Sequence, residues 1–434
     1  MNEKTKNIRA LTLDVLTRCE AGGYSNIALD TVIKRNDLSG SDRALLTALV
    51  YGVIERKITL DYMISKLSSI PDSKIERDTR NALRLGLYQL AYMDKIPAHA
   101  AINETVSLVN KRSKGFVNAV LRSYQRMGDK IALPDSSDKV KYLSVKYSVG
   151  EELIKALLRT YPFEECEKIF AAFGQKTPIT MRVNNLKTSR KEICQRIAGA
   201  TLTPISPDGI TVENAAVGEL DALRDGSVTV QDEASQICVR ALGALKGETV
   251  LDVCACPGSK SFGAAMTMQN EGKILAFDIH ENKLSLVKSG AERLGISIIE
   301  TAAHDAREFI PELEGKADRI ICDVPCSGFG VIGKKPEIRY KDPKESERLP
   351  SIQLDILENV SKYLKVGGTL VYSTCTILPE ENENNVIKFL ENHKNFKLVP
   401  FCVGSITAES GMITLLPHIH NTDGFFIAKL MRND

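Results

Sequence analysis

Apolar positions through the first 130 or so residues recur at helical spacing. Ile8, Leu11, Val15 and Cys19 share one face, and Leu45/Leu46, Leu49/Val50 and Val53 repeat the pattern behind Ser39-Gly40-Ser41-Asp42, a stretch suited to cap a helix start. Leu83, Leu87 and Leu90 carry the period to Pro97, and Ile102, Val106 and Val109 resume it. A polar run, Pro134-Asp135-Ser136-Ser137-Asp138, then predicts a linker. From 146 to 238 the pattern is mixed, with helical stretches within 150–173, a short alternating strand at Ile179–Val183, a helix near 188–198, and strands at Ile210–Val212 and Val228–Val230. That predicts a small α+β unit whose topology the pattern does not fix. From about 248 strands and helices alternate, with strands expected at Thr249–Val253, Ile274–Phe277, Ile296–Ile299, Arg319–Cys322 and Thr369–Tyr372, and a last one at Gly424–Leu430. Such alternation predicts a doubly wound, Rossmann-like α/β sheet with right-handed crossovers. The expected organisation is an all-α segment over 1–140, a small α+β segment over 141–238 and an α/β domain over 239–434.

Composition narrows the class. The 434 residues are 43% hydrophobic and 26% charged, enough for several cores and outside the disordered and fibrous ranges. No apolar run approaches the ~18 residues of a membrane span. Met1-Asn2-Glu3-Lys4-Thr5-Lys6 leads into an amphipathic pattern with no signal-peptide core, so a cytoplasmic protein without a membrane partner is expected. The formal net charge of +2 conceals an asymmetry: of 57 Lys+Arg and 55 Asp+Glu, residues 1–150 hold 24 and 16, leaving 33 and 39 for the rest. A front of +8 on a near-neutral chain points to an anionic polymer as partner. Lys111, Arg112, Lys114, Arg122 and Arg126 cluster around Gly115–Leu121 as a candidate phosphate rim at a helix start. The ten cysteines do not form a disulfide framework in a long chain of this kind, and the spacings Cys254-x-Cys256 and Cys322-x3-Cys326 do not suit zinc, so no metal is expected.

In open α/β sheets ligands sit beyond the carboxyl ends of the strands. The first such loop, Cys254-Ala255-Cys256-Pro257-Gly258-Ser259-Lys260 behind Asp252, lacks both G-x-G-x-x-G and a P-loop, which disfavours phosphate cradling. Asp278 closes the second strand, where a carboxylate can accept ribose hydroxyls, and Asp305 past the third could take an adenine amino group. Carboxylates without a phosphate loop suit a cationic nucleoside such as S-adenosylmethionine. After the fourth strand comes Asp323-Val324-Pro325-Cys326-Ser327-Gly328, and after the fifth Ser373-Thr374-Cys375. Two cysteines at neighbouring strand ends would face one cleft. C5 of cytosine takes a methyl group only when a thiolate adds at C6 and makes C5 enamine-like, and a base must then remove the C5 proton. Which cysteine does which is open on spacing alone.

Three motifs, Cys254–Lys260, Asp323–Gly328 and Thr374-Cys375-Thr376-Ile377-Leu378-Pro379-Glu380-Glu381-Asn382, resemble the signatures of RNA cytosine-C5 methyltransferases. The helical front, with Gly115-Phe116-Val117-Asn118-Ala119-Val120-Leu121-Arg122, resembles a NusB-like RNA-binding domain. Together they resemble the bacterial 16S rRNA cytosine-C5 methyltransferases of the Sun/Fmu type over nearly the whole chain. The resemblance implies Cys375 as nucleophile, Cys326 as helper in product release, and Asp323 and Lys260 beside them. It places cofactor contacts at Cys254, Ala255, Cys256, Pro257, Gly258, Ser259, Lys260, Asp278, Asp305 and Asp323. It implies cytosine 967 of 16S rRNA as target, on free RNA or an early assembly intermediate, by a monomer. The family's usual Ala-Pro-Gly-Gly-Lys stands here as Cys256-Pro257-Gly258-Ser259-Lys260, a small-for-small departure. Lys260 could lie near the cofactor carboxylate or lower a thiol pKa, and Lys335 and Arg339 lie in a loop that could grip RNA phosphates. The same chemistry on tRNA or another rRNA site, and a non-catalytic RNA-binding assembly factor, are the rival readings. The second is disfavoured because a relic need not keep Lys260, Asp323, Cys326 and Cys375 together.

Overall fold

The computed structural model describes residues 7–22, 25–127, 130–175, 178–213 and 220–434, so the first six residues, and what they say of a leader, lie outside it. The chain forms two compact units: 1–174 joined by 334–342, and 175–333 joined by 343–434.

The first unit is helical. Its helices are α1 (Ile8–Glu20), α2 (Ser25–Asn36), α3 (Gly40–Glu55), α4 (Lys57–Leu67), α5 (Arg77–Tyr92), α6 (Ala98–Leu108), α7 (Lys114–Met127), α8 (Lys139–Tyr147), α9 (Glu151–Leu158) and α10 (Phe163–Phe173). The Ser39 hydroxyl accepts the Asp42 amide at 3.2 Å and so starts α3 as the sequence predicts. The periodic positions Val15, Leu46, Leu49, Val50, Leu83 and Ile102 are fully buried in one core. Gly52 lets α3 approach α5 closely, since a Cβ there would overlap the Tyr88 ring. Helix α7 buries Val117, Val120, Leu121 and Tyr124, while Lys111, Arg112 and Arg126 stay exposed and Arg122 is half-buried.

The segment 334–342 departs from expectation. Arg339 is 3% exposed, and its guanidinium donates to the carbonyls of Glu55 (2.8 Å) and Tyr147 (3.4 Å), the last residues of α3 and α8. The Tyr340 hydroxyl donates to the Ile54 carbonyl and accepts from the Lys57 amide, and Ser25 donates to Glu337 at 3.1 Å. Arg339 is therefore not an RNA-gripping side chain: its charge is spent on helix carboxyl ends, where unsatisfied carbonyls and the helix dipole favour a cation. Lys335 remains exposed.

The second unit holds two main sheets. The smaller runs β2 (Ala200–Leu202), β3 (Gly209–Val212), β1 (Ile179–Val183), β4 (Val228–Val230), antiparallel throughout. A helix, Arg190–Arg196, packs on it and begins with a reciprocal Ser189/Glu192 cap. The larger sheet contains β5 (Thr249–Asp252), β6 (Lys273–Asp278), β7 (Ile299–Ala303), β8 (Ala317–Asp323), β9 (Leu364–Thr374), β10 (Phe396–Leu398) and, after the β11–β12 ribbon (Phe401–Val403, Ile406–Ala408), β13 (Met412–Leu415) and β14 (Phe425–Arg432). Its order is β10-β14-β9-β8-β5-β6-β7, with β13 on β14. Strands β5 to β9 pair in parallel, and β14 pairs antiparallel with β9. Alternate strand residues bury to opposite faces. Val250, Ile274 and Val371 pack with helices Glu233–Leu242 and Ser259–Thr267, whereas Leu251, Leu370 and Tyr372 pack with helices Leu349–Val360 and Glu383–Asn392. The third parallel strand begins at Ile299, not Ile296. Gly295, at φ 74°, ends the preceding helix, and the Ile296 amide is taken by the Ala291 carbonyl at 2.9 Å, which keeps Ile296 in the cap. The winding reverses between β5 and β8, and a cleft at such a switch point is where this fold binds ligands.

Candidate active site

Each acid expected at a strand end lies at that end. The loop after β5 is pinned to β6 by the Ala255 amide on the Phe277 carbonyl (2.7 Å) and by the Cys256 amide on Asp278 Oδ2 (3.1 Å). Asp278 Oδ1 accepts the His280 amide at 2.9 Å, so backbone amides orient the carboxylate through both oxygens. Gly258 turns the loop into the next helix at φ 108°, and a Cβ there would press on the Phe262 ring. Asp305 is held by Arg307, with hydrogen bonds at 3.0 and 2.5 Å that push its carboxyl below the usual range.

Beneath the cleft, Lys260 Nζ lies 2.6 Å from Asp323 Oδ2, and the Ser373 hydroxyl donates to Asp323 Oδ1 at 2.7 Å. Asp323 and Ser373 are register partners on β8 and β9. Lys260 is 8% exposed, and its Nζ sits 5.2 Å from the centroid of the Phe425 ring. Burial alone would lower its affinity for a proton, but the Asp323 carboxylate more than offsets that and holds the ammonium firmly charged. The ion pair with Asp323 is a role for Lys260 that the sequence reading does not anticipate. Asp252 is fully buried: desolvation raises its carboxyl to about 7 despite a hydrogen bond from Ser261 at 2.5 Å.

A pocket of about 410 Å³ opens above these residues, lined by Cys254, Cys256, Asp278, Asp305, Asp323, Cys326 and Cys375. Ala255, Pro257, Gly258, Ser259 and Lys260 are not among its lining residues. Cys326 and Cys375 meet there with their sulfurs 3.0 Å apart, and the Cys375 amide donates to Cys326 Sγ at 3.2 Å. Hydrogen bonding with Cys375, burial, and the charges of Glu381 and Asp323 hold the Cys326 thiol well above its ordinary pKa. Burial and the Asp278 carboxylate push Cys256 up to about 12, and burial with Asp252 raises Cys254 further, so neither is poised as a thiolate nucleophile.

Several side chains at the site have contacts that a reading of the sequence does not assign. Ser373, which orients Asp323, is adjacent to the Thr-Cys motif and legible only once β8–β9 register is known. Ile279, 56% exposed beside Asp278, supplies an apolar wall. Gln353 and Glu381 touch the Pro-Cys loop, and Gln353 carries no spacing signal at all. The lining mixes charges: Asp278, Asp305 and Asp323 stand with Lys283 and Arg307, Arg307 is paired to Asp305, Lys260 beneath is paired to Asp323, and Ile279 flanks Asp278, a set that fits a nucleoside carrying both cationic and anionic groups, as S-adenosylmethionine does.

Comparisons with known proteins agree with this arrangement. Residues 239–431 match the family model of 16S rRNA methyltransferase RsmB/F, 6–126 the NusB family, and 151–217 the ferredoxin-like domain of RsmF/B-like methyltransferases. A probable ribosomal RNA small subunit methyltransferase B of Bacillus subtilis is 39% identical over 99% of each chain, and the ribosomal RNA small subunit methyltransferase B of Citrobacter koseri is 33% identical over 99% of this chain and 100% of its own. Among solved structures, PH0851 superposes with a TM-score of 0.80 at 28% identity over the full length of both chains. A methyltransferase homologue from Pyrococcus horikoshii gives 0.59 at 28% over 69% of this chain and all of its own. The helical front is thus a NusB-type domain, the antiparallel sheet belongs to a ferredoxin-like domain, and the wound sheet is that of an S-adenosylmethionine-dependent methyltransferase. The chain belongs to the ribosomal RNA small subunit methyltransferase B family.

Proposed function

We propose that this chain methylates C5 of a cytosine in 16S rRNA, cytosine 967 by family resemblance, through a covalent cysteinyl intermediate on the base. The observation that carries this reading is the thiol pair Cys326/Cys375 facing the same pocket as the strand-end carboxylates. S-adenosylmethionine, when bound, supplies an electrophilic methyl group. Cys375 adds as thiolate to C6, which makes C5 nucleophilic; after C5 is methylated, a base removes the C5 proton and the S–C6 bond breaks. Cys326 is close enough to exchange a proton with Cys375, and Asp323, held by Lys260 and Ser373, lies within the same pocket to share the proton work. Asp278 would take the ribose hydroxyls, Asp305 the adenine amino group, and the 254–260 loop the rest of the cofactor. The target base must leave its stack to expose its ring face to the thiol.

The segment 1–140, with the basic rim on α7, would hold the RNA, 141–238 would bind RNA as well, and 239–434 would carry the chemistry of a monomer acting on free rRNA or an early assembly intermediate. Tritium transfer from labelled S-adenosylmethionine to unmodified 16S rRNA, followed by mapping of the labelled base, tests the proposal. Label at C5 of one cytosine is expected. Label on another atom or on tRNA alone would overturn it.

A further inference from the structure

The Pro-Cys loop is held by an unassigned pair of buried side chains. Gln353, on helix Leu349–Val360, is fully buried and donates through one nitrogen to the Pro325 carbonyl (2.9 Å) and to Glu381 Oε2 (2.8 Å). Glu381, 2% exposed, accepts the Ser327 amide on the same oxygen at 2.9 Å. The carbonyl just before Cys326 and the amide just after it are therefore both tied to this pair. Asn385 donates to Gln353 Oε1 at 3.1 Å, and the Tyr372 hydroxyl donates to the Glu381 carbonyl at 2.6 Å, so each member is itself fixed. On the other side the Ser327 hydroxyl donates to Thr376 at 2.8 Å, and the Gly330 amide to the Cys375 carbonyl at 2.9 Å.

These donors to Glu381 are neutral, in a place where a carboxylate is costly to bury. A carboxylate forms shorter and stronger bonds to N–H donors than an amide does, which suits a loop whose sulfur must be placed to a few tenths of an ångström. It also sets negative charge beside Cys326, joined by Asp323 and facing Cys375, with Lys260 beyond Asp323 as the cation of the group.

We propose that Glu381 and Gln353 are positioning residues that hold the Pro-Cys loop so that the Cys326 sulfur stays in contact with Cys375. The inference rests on the thiol chemistry proposed above, and it deepens the division of labour between the two cysteines.

The test uses the full chain with Glu381→Gln, which keeps volume and removes charge, and Gln353→Met, which removes the tie to Pro325. Alkylation of Cys326 by iodoacetamide, read by peptide mass spectrometry from pH 6 to 10, should become about tenfold faster at pH 8 in Glu381→Gln, the equivalent of one pKa unit, while S-adenosylmethionine affinity stays within about twofold. Gln353→Met loosens the loop but keeps the Glu381 side chain, so a shift larger in Glu381→Gln than in Gln353→Met, with the urea midpoint of both variants near the parent's, separates this role from mere loss of structure. In parallel, covalent RNA adducts are quantified for Cys326→Ala, Glu381→Gln and the double variant. Adduct accumulation in Glu381→Gln that does not add to that of Cys326→Ala supports positioning. An unchanged Cys326 alkylation profile in both variants, in folded protein, overturns it. If Cys326→Ala itself leaves no adduct while the alkylation profile shifts as expected, the covalent reading falls and the positioning role stands.

Discussion

Asp252 makes an exacting test of the electrostatics under the pocket. Its carboxyl is fully buried, with the Ser261 hydroxyl donating to one oxygen and the Cys254 backbone as a weaker donor. Desolvation raises it from 3.8 to about 7, with Asp323 adding to the rise and Ser261 and Lys260 opposing it. Between those two values the native state holds a proton that the unfolded chain has lost. The contribution of this group to native stability is therefore greatest below pH 4, falls as pH rises, and is wholly gone above pH 7. Three units at 1.36 kcal/mol each bound that loss at about 4 kcal/mol; partial relaxation around an ionised carboxylate brings it to roughly 2–4 kcal/mol. Asn at 252 is isosteric and never ionises. Whatever its amide costs at pH 4.5, the gap between variant and parent should move in the variant's favour by that amount by pH 8. For a unit of some 250 residues this is a relative gain of roughly 5–10 °C in melting temperature. Scanning calorimetry at the two pH values measures it. A gap that does not change with pH, or that moves toward the parent, would refute the assignment of a protonated Asp252 near neutrality.

The other expected outcomes follow from the same geometry. Cys375→Ala should abolish methyl transfer with S-adenosylmethionine affinity nearly intact by calorimetric titration, since the donor binds at the carboxylates; residual turnover would move the nucleophile elsewhere. Cys326→Ala should accumulate an RNA–protein adduct that survives denaturing gels, and normal turnover without adduct would remove its release role. Lys260→Met strands the Asp323 carboxylate, mostly buried, without its cation, a loss of about 3 kcal/mol by urea titration. Charge-neutralising Gln substitutions at Lys114, Arg122 and Arg126 together should flatten the salt dependence of rRNA binding by about one power of salt for each phosphate no longer neutralised; an unchanged slope would place the RNA on another face.

What is legible in the sequence follows from where the physics is local. Strand-end acids can be read because a parallel strand buried on both faces is a short apolar run, and the first polar residue after it marks the ligand side: Asp252, Asp278 and Asp323 all close their strands. The third strand departs from its expected start because Ile296 is apolar for a different reason, as the plug of a helix cap. Strands β10 to β13, three or four residues each, leave no signal because they are too short to show alternation and owe their pairing to β14 or to each other. Arg339 is misread for want of long-range information: nothing near position 339 signals that carbonyls of residues 55 and 147 need a donor. Glu381 stands within a recognisable motif, yet its partners Gln353 and Ser327 lie 28 and 54 positions away.

The strand-end carboxylates also differ in ways that spacing could not separate, and the difference bears on their roles. Asp252 is out of water and holds its proton up to about pH 7. Asp323 is compensated by Lys260, and Asp305 by Arg307. Of the four, Asp278 is the one held by two backbone amides, one on each oxygen. A carboxylate fixed by amides keeps a second lone-pair direction on each oxygen and its full charge, which is what two vicinal hydroxyl donors require. A carboxylate already paired to arginine is less able to take further donors, but it keeps the rim of the pocket neutral. Of the proposed cofactor contacts, Asp278 is therefore the one whose loss should weaken nucleoside binding most. Asp278→Asn should cost S-adenosylmethionine more affinity than Asp305→Asn in calorimetric titration, because the charge removed at 305 is one that Arg307 already answers; equal losses, or a larger one at 305, would assign the ribose to a different carboxylate.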